Sequence, residues 1–169
     1  MSIAEEPRTG GGHVGKRLRR KEDPKLIQGR ASYVDDINLV GQLWMAFVRS
    51  PEAHAKIVSI DTSGAEARDD VTAVFTGNDM EGIGALPMAW VPPGVEVKNP
   101  DNWALCKDEV NHVGDPVAVV VGADKYSVID AAEEVLVEYE PLPVVVNPEE
   151  AIKDEVLVHE SLGTNKTHE

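Results

Sequence analysis

The stretch His112–Tyr139, HVGDPVAVVVGADKYSVIDAAEEVLVEY, decides the fold because three local patterns follow one another along it. Residues 117–121 are a β-branched apolar run between a Gly-Asp-Pro turn and Gly122, which predicts a strand buried on both faces. Asp124 can cap a following helix, because its carboxylate can accept bonds from N–H groups that the first turn leaves unpaired. The helix itself is predicted by an apolar stripe at i, i+3, i+4 and i+7, formed by Val128, Ala131, Ala132 and Val135.

A second strand is predicted directly after this helix, because the pattern changes to an alternation of apolar and acidic residues. Val135, Val137 and Tyr139 fall on one face, and Glu138 and Glu140 fall on the other. The stretch therefore predicts a strand, a helix and a strand in succession.

Further elements are predicted on both sides of this stretch. Upstream, strands are expected at Gln42–Arg49, Ala55–Ile60 and Val71–Phe75, with a short helix at Thr62–Arg68. The first of these strands is apolar on both faces, as in a central strand. Downstream, short strands are expected at Val144–Val146 and Val156–Val158, with a helical turn between them opened by Asn147-Pro148. The predicted fold class is α+β, a mixed and mostly antiparallel sheet with about two packed helices.

Length, composition and charge narrow the class of protein. The 169 residues are 42% hydrophobic, which suits one globular domain, and the sequence has no apolar run near the roughly 20 residues of a membrane helix. The opening MSIAEEPRTGGG has no apolar signal region, so a cytoplasmic protein without membrane insertion is expected. Residues 1–34 hold eight basic and four acidic residues, a net +4, whereas the remainder holds eight and 26, a net −18. Such an acidic body disfavours nucleic acid as a partner.

The search for catalytic or metal-binding motifs finds none, so no catalytic, cofactor-binding or metal-ligating residue is assigned. The five histidines show no metal-ligand spacing, and no nucleophile elbow supports a catalytic triad. His54 is interpreted as a loop residue that bonds nearby backbone, and His112 as structural. Cys106, the single cysteine, is interpreted as a partly buried and inert thiol, and one cysteine cannot hold an iron–sulfur cluster.

Two segments are candidate interfaces. Residues 16–21, KRLRRK, carry five basic residues in six, and we expect Arg17, Arg19 and Arg20 to lie in a solvated or partner-facing arm. The other segment is the irregular stretch 81–102, with Trp90 near one end and Trp103 just beyond the other. Long loops are often functional or interfacial, so these tryptophans either cover the core or form an interface.

Several motifs, taken in order, resemble one known family. Val-Gly-Asp-Pro before the valine-rich strand, Ala-Ala-Glu-Glu-Val in the helix and Val-Glu-Tyr-Glu-Pro-Leu-Pro after it are similar to the α/β hammerhead domain of the molybdenum hydroxylases. That group includes xanthine dehydrogenase, aldehyde oxidase and aerobic carbon monoxide dehydrogenase. Arg49-Ser50-Pro51, residues 74–77 (VFTG) and residues 159–165 (HESLGTN) extend the resemblance over residues 15–169.

The resemblance implies the opening domain of a large, molybdopterin-binding subunit, whose complete enzyme oxidises carbon monoxide or hydroxylates an aldehyde or heterocycle. In that family, electrons pass through 2Fe-2S clusters to FAD, and these cofactors and the catalytic glutamate belong to later segments or other subunits. The implied partners are the remainder of the large subunit, an FAD-binding medium subunit and an iron–sulfur small subunit. The resemblance favours the carbon monoxide dehydrogenase-like branch, and the chain alone is expected to be inactive and without cofactors.

The expected organisation has four parts: a disordered tail at 1–14, a basic extended arm at 15–36, the hammerhead domain at 37–160 and a linker at 161–169 toward a missing C-terminal part. A stand-alone module that binds a protein or ligand through the Trp90–Trp103 loop is the alternative. A biotinyl or lipoyl carrier domain is disfavoured, because no lysine stands between two methionines.

Overall fold

The computed structural model describes residue 15 and residues 17–91 and 93–168. The tail predicted at 1–14 lies outside the described residues. The chain divides into two compact units, Met1–Val40 and Gly41–Glu169.

The first unit contains a short helix, α1 (Asp23–Ile27), and a 3₁₀ turn at Val34–Asp36. Asp23-Pro24 begins this helix, although the arm is predicted to be extended and to turn at these residues. Proline is compatible with the first turn of a helix, because the N–H group that it lacks would have no partner there. The 3₁₀ turn is closed by the Tyr33 backbone N–H, which donates to Asp36 Oδ2 over 2.8 Å.

The second unit contains six strands and three helices among its described residues. The strands are β1 (Trp44–Arg49), β2 (Ala55–Asp61), β3 (Val71–Thr76), β4 (Glu109–Val110), β5 (Pro116–Gly122) and β6 (Leu136–Pro141). The helices are α2 (Ser63–Glu66), α3 (Lys125–Glu133) and α4 (Pro148–Ala151), and 3₁₀ turns lie at Gly77–Met80 and Glu160–Leu162.

The strands form two three-stranded sheets, and the described strands pair antiparallel. One sheet has the order β1-β5-β3 and is called the helix-covered sheet below; the second sheet has the order β4-β2-β6. The predicted α+β class is confirmed, with two small antiparallel sheets in place of one mixed sheet. The prediction that β1 is a central strand is wrong, because β1 lies at an edge and β5 occupies the centre.

The predicted strand–helix–strand stretch is present as β5, α3 and β6. Asp124 caps α3, since its Oδ1 accepts from the backbone N–H groups of Tyr126 at 3.0 Å and Ser127 at 2.9 Å. Val128 and Ala131 of the predicted stripe are buried. Because β5 and β6 belong to different sheets, α3 connects the two sheets along the chain.

Two clusters of buried residues form the core. The first lies between α3 and the helix-covered sheet and consists of Ala65, Ala118, Val120, Val128, Ala131 and Val135. The second lies at the second sheet and consists of Ala55, Cys106, Val110 and Val117. Ile60 and Val137 pack against both clusters, so the two sheets share one continuous apolar interior.

The stretch after β6 differs from its prediction. Neither 144–146 nor 156–158 is a strand, whereas α4 follows Asn147 as predicted, with the Asn147 side chain accepting from the Glu149 N–H at 2.9 Å. The backbone of Val158 is paired with side chains instead of a neighbouring strand: its N–H donates to Asn165 Oδ1 at 2.9 Å. The predicted linker is bonded to the same unit, because the Asn165 N–H donates to Asp154 Oδ1 at 2.7 Å.

Helices of membrane-spanning length and hydropathy do not occur in the described ranges.

Candidate functional site

The arm residues proposed as an interface lie in the first unit. Arg17, Arg19 and Arg20 are exposed and lie outside any helix or strand of the described residues. Within this unit, their guanidinium groups are therefore accessible to a partner. Lys16 lies outside the described residues.

The two tryptophans of the long loop differ in exposure. A pair of backbone groups joins the two ends of this loop, because the Leu86 N–H donates to the Asn102 carbonyl over 2.7 Å in an isolated antiparallel bridge. Trp90 lies inside the closed part and is 71% exposed, whereas Trp103 lies just beyond the bridge and is 44% exposed. Trp90 thus provides little cover for the core, and its indole is available to a partner.

Trp103 stands between two cavities. One, of about 280 Å³, is lined by Trp103 and Leu105 together with Met80 and Ile83. The other, of about 480 Å³, is lined by Trp103 and by the polar side chains of Glu109, Asn111, His112 and Asp115. These polar side chains form a site that the motif search did not detect.

Glu109, one of these lining side chains, contacts His54, which is 7% exposed. Its Nδ1 lies 2.7 Å from the Pro143 carbonyl oxygen and its Nε2 lies 2.9 Å from Glu109 Oε1. The carbonyl can only accept, so Nδ1 carries a proton and donates to it. The prediction that His54 bonds nearby backbone is wrong about its partners, because the ring contacts Pro143 and Glu109, which are far away in the sequence.

Glu109 and Asn111 extend the contact to the C-terminal segment. Glu109 Oε1 also accepts from Asn111 Nδ2 at 2.8 Å, and the same nitrogen donates to the Val158 carbonyl at 2.9 Å. One carboxylate oxygen is therefore shared by His54 and Asn111, and this sharing joins the residue before β2 to β4 and to the segment after α4.

Asp115 closes the turn that leads into β5, and it is 9% exposed. Its Oδ2 accepts from the backbone N–H of Asn111 at 2.6 Å and of His112 at 3.2 Å. Its Oδ1 lies 3.1 Å from His112 Nδ1, and the His112 side chain is 69% exposed. His54, Glu109, Asn111 and Asp115 are called the polar network below.

The electrostatics of the network affect the groups beside it. Burial, with the Asp115 carboxylate as a second cause, raises the pKa of the Cys106 thiol to about 12. The thiol is therefore neutral at ordinary pH, and a neutral thiol is a poor nucleophile. Burial lowers the pKa of His159, while the carboxylates of Glu109 and Asp115 act in the opposite direction.

The arrangement of the polar network suits a structural role, in which side chains hydrogen-bond the backbone of neighbouring segments. The side chains of the polar network mainly hold backbone groups and one another. Over the described residues, no group of three or more His, Cys, Asp or Glu side chains is arranged to hold a metal ion. Sequence reasoning missed the network because His54 lies 55 positions from Glu109 and Val158 lies 47 positions from Asn111, although the Gly-Asp-Pro turn marked one member.

Comparisons with known proteins show one consistent relationship. Residues 28–143 match a family model described as "Aldehyde oxidase and xanthine dehydrogenase, a/b hammerhead domain". The chain is 39% identical over 146 residues to the 6-hydroxypseudooxynicotine dehydrogenase complex subunit gamma of Paenarthrobacter nicotinovorans, covering 85% of the chain and 18% of that subunit. It is 39% identical over 155 residues to the carbon monoxide dehydrogenase large chain of Afipia carboxidovorans, covering 91% of the chain and 18% of the relative.

The solved structures agree with the sequence relatives. The crystal structure of quinoline 2-oxidoreductase from Pseudomonas putida 86 superposes with a TM-score of 0.76 at 36% identity, covering 88% of this chain and 19% of that one. The chain thus spans under a fifth of the length of these relatives.

Proposed function

Because this chain belongs to the α/β hammerhead domain family of aldehyde oxidase and xanthine dehydrogenase, we propose that it is the N-terminal structural and assembly domain of a molybdenum hydroxylase large subunit. The observation that carries the proposal is the family match over residues 28–143, a range that contains all six strands and α3. The polar network supports a structural role, because its groups hold strands and turns together.

The complete enzyme, on this proposal, oxidises carbon monoxide or hydroxylates an aldehyde or heterocycle in the cytoplasm. It carries a molybdopterin cofactor and passes electrons through 2Fe-2S clusters to FAD. The relatives support this, since one is named as a carbon monoxide dehydrogenase large chain and another as part of a dehydrogenase complex.

The side chains described here do not fit those metal groups. An iron–sulfur cluster needs several thiolates, whereas the only cysteine is buried and has a raised pKa. We therefore assign the metal centres to other parts of the enzyme and derive no catalytic step for this chain. The purified chain should contain no stoichiometric molybdenum, iron or flavin, which elemental analysis and a visible spectrum test.

The arm and the long loop are the proposed contacts with partner subunits. Arginine suits such contacts, because its planar guanidinium bonds carboxylates with two parallel hydrogen bonds and loses its hydration more easily than lysine does. Arg17, Arg19 and Arg20 would bond carboxylates or carbonyls of the remaining large subunit or a partner subunit, and Trp90 and Trp103 would add apolar contact area.

The test is association. The chain carrying an affinity tag is co-expressed with the molybdenum-binding polypeptide and the FAD and iron–sulfur subunits, and the purified material is analysed for each. Recovery of the molybdenum-binding polypeptide supports the proposal. Recovery of none of these subunits would contradict it and would favour the stand-alone interaction module, for which the exposed Trp90 is the relevant observation.

A triple variant tests the arm. Changing Arg17, Arg19 and Arg20 to glutamate should weaken co-purification and leave the melting temperature of the chain unchanged. A large fall in the melting temperature would instead show that the arm is part of the domain's own fold, and unchanged behaviour in both measurements would leave the arm solvated.

A further inference from the structure

The helix-covered sheet has a second face, and its side chains form two apolar rows. Strand register places Phe47, Val119 and Phe75 side by side across β1, β5 and β3. It places Met45, Val121 and Ala73 in the adjacent row. We call these six residues the open face.

The open face is the side of the sheet that α3 leaves uncovered. Side chains alternate across a strand, so Trp44, Ala46 and Val48 point toward α3 and pack on its core cluster. Their neighbours on the open face remain in contact with water: Met45 is 65% exposed, Phe47 is 40% exposed and Phe75 is 39% exposed. All three are large apolar side chains, so covering them would be favourable.

The composition of the open face is unusual for this protein. Charged residues make up 27% of the chain, yet the six positions contain none, and the charge beside them is the Arg49 guanidinium, 5.3 Å from the centre of the Phe47 ring. Large apolar side chains grouped on one face, as opposed to scattered singly, mark a surface on which a partner can bury apolar area.

A second copy of the chain is disfavoured as the occupant. Each copy has a formal net charge of −14, so association of two copies brings two acidic bodies together. The open face is also small: three strands about 4.8 Å apart and two rows about 7 Å apart give a footprint on the order of 10 Å by 10 Å. Each partner in a stable interface contributes roughly 800 Å², far more than this face provides.

A small footprint suffices for a neighbour in the same polypeptide. Linking two surfaces makes their association intramolecular, with a high effective concentration. The relatives provide such a neighbour, because the aligned region is only 18% of each curated relative. A neighbouring domain is therefore the occupant that a face of this size favours, and the arm and the long loop, proposed above as further contacts, would add to its contact area.

We propose that the open face docks against an apolar, uncharged surface in the remaining part of the large subunit. This inference rests on the proposed function and adds to it the surface by which the domain joins its own subunit. Phe47 and Met45 of β1 would be central to the contact, since an edge strand brings them within reach of a neighbour.

The test uses the tagged chain co-expressed with the remaining large-subunit polypeptide. Phe47→Glu and Met45→Glu each place a charge in the open face, and Ile129→Glu places one on the exposed side of α3, where the wild-type residue is 47% exposed. Recovery of the partner polypeptide should fall by about tenfold or more for both open-face variants, as expected for a central interface residue, and should be unchanged for Ile129→Glu.

The outcomes separate the inference from its premise. Wild-type recovery with undiminished recovery by Met45→Glu would overturn the docking face and leave the proposed function standing. Absence of recovery by the wild type would overturn both. If Phe47→Glu lowers the melting temperature of the chain, its loss of recovery reports unfolding and not docking. The result for Met45→Glu then decides the test, because the Met45 side chain is the more exposed of the two. A concentration-dependent dimer of the isolated chain that Met45→Glu abolishes would overturn the choice of occupant.

Discussion

The two sheets of the second unit are stabilised by different chemistry. At the helix-covered sheet, the buried side chains are alanines and valines, and most of them come from regular patterns in and beside β5 and α3. At the second sheet, buried polar groups, His54 and Asp115 among them, lie next to a smaller apolar cluster. This difference indicates that apolar burial follows local sequence periodicity, whereas a polar network depends on residues that only the tertiary structure brings together.

The largest effect is expected from a charge in the helix-covered core. Val120 is fully buried in β5, so Val120→Asp would leave a carboxylate without water or a partner. We expect a loss of more than about 4 kcal/mol of unfolding free energy, which removes much or all of the stability of an ordinary domain. Urea unfolding followed by circular dichroism measures it. Val146→Asp is the control, because Val146 is 86% exposed; equal losses would contradict the assigned core.

A steric change at Gly77 comes next. A Cβ at this position would lie 2.5 Å from the Cys106 carbonyl oxygen and 2.7 Å from Lys107 Cα, both of them backbone atoms that cannot move aside cheaply. Gly77→Ala should therefore cost about 2–3 kcal/mol, within the range seen for overpacked cores. Gly84→Ala is the matched control, since nothing lies within 4 Å of its Cβ. Similar melting temperatures for the two variants would disprove the close packing at Gly77.

Two histidines differ in how much they should contribute to stability at the second sheet. His54→Ala removes the partner of the Pro143 carbonyl and of Glu109, so we expect a loss of about 1–3 kcal/mol. His112→Ala removes a histidine whose side chain is 69% exposed and that contacts only one carboxylate, so the loss should be below about 1 kcal/mol. Denaturant midpoints of both variants measure the difference, and a reversed order would show that the network does not stabilise the fold.

The smallest effect at neutral pH is that of the Cys106 thiol, which changes stability only under alkaline conditions. The pKa of Cys106 rises from 9.0 to about 12 on folding, so between those values the unfolded chain loses a proton that the folded chain keeps. Stability therefore falls as the pH rises from 9 toward 12. Cys106→Ala removes this contribution, and its unfolding free energy should decline less steeply over the same range. Parallel declines for the wild type and the variant would show that the thiol does not contribute.

Local patterns made the centre of the fold predictable. The cap by Asp124, the apolar stripe of α3 and the alternation in β6 depend on residues within a few positions of one another, and all three are present. The edge position of β1 was not predictable in the same way. Its two apolar faces indicate burial on both sides, but one face belongs to the open face, and a single strand does not show which neighbour covers it.

The polar network could not be predicted for a related reason. His54 and Pro143 are 89 positions apart, and no local pattern joins them. Asn111 bonds Val158, whose own sequence context indicates an edge strand. The hydrogen-bonding needs of a buried histidine are known in advance, but the residues that meet them are decided by tertiary packing.

The bridge between Leu86 and Asn102 has a consequence for how this protein can diverge. Two backbone groups fasten the ends of the loop, so many side chains at those two positions would preserve the closure. Lengthening a flexible loop costs only about 0.6 kcal/mol for each doubling, so residues 87–97 can grow, shrink or be replaced while the strands on either side keep their register and the Lys98 N–H keeps its 2.8 Å bond to the Thr167 carbonyl. Insertions and deletions between relatives should therefore accumulate in this loop, which gives evolution a place to adapt the domain to a new neighbour without rebuilding its core.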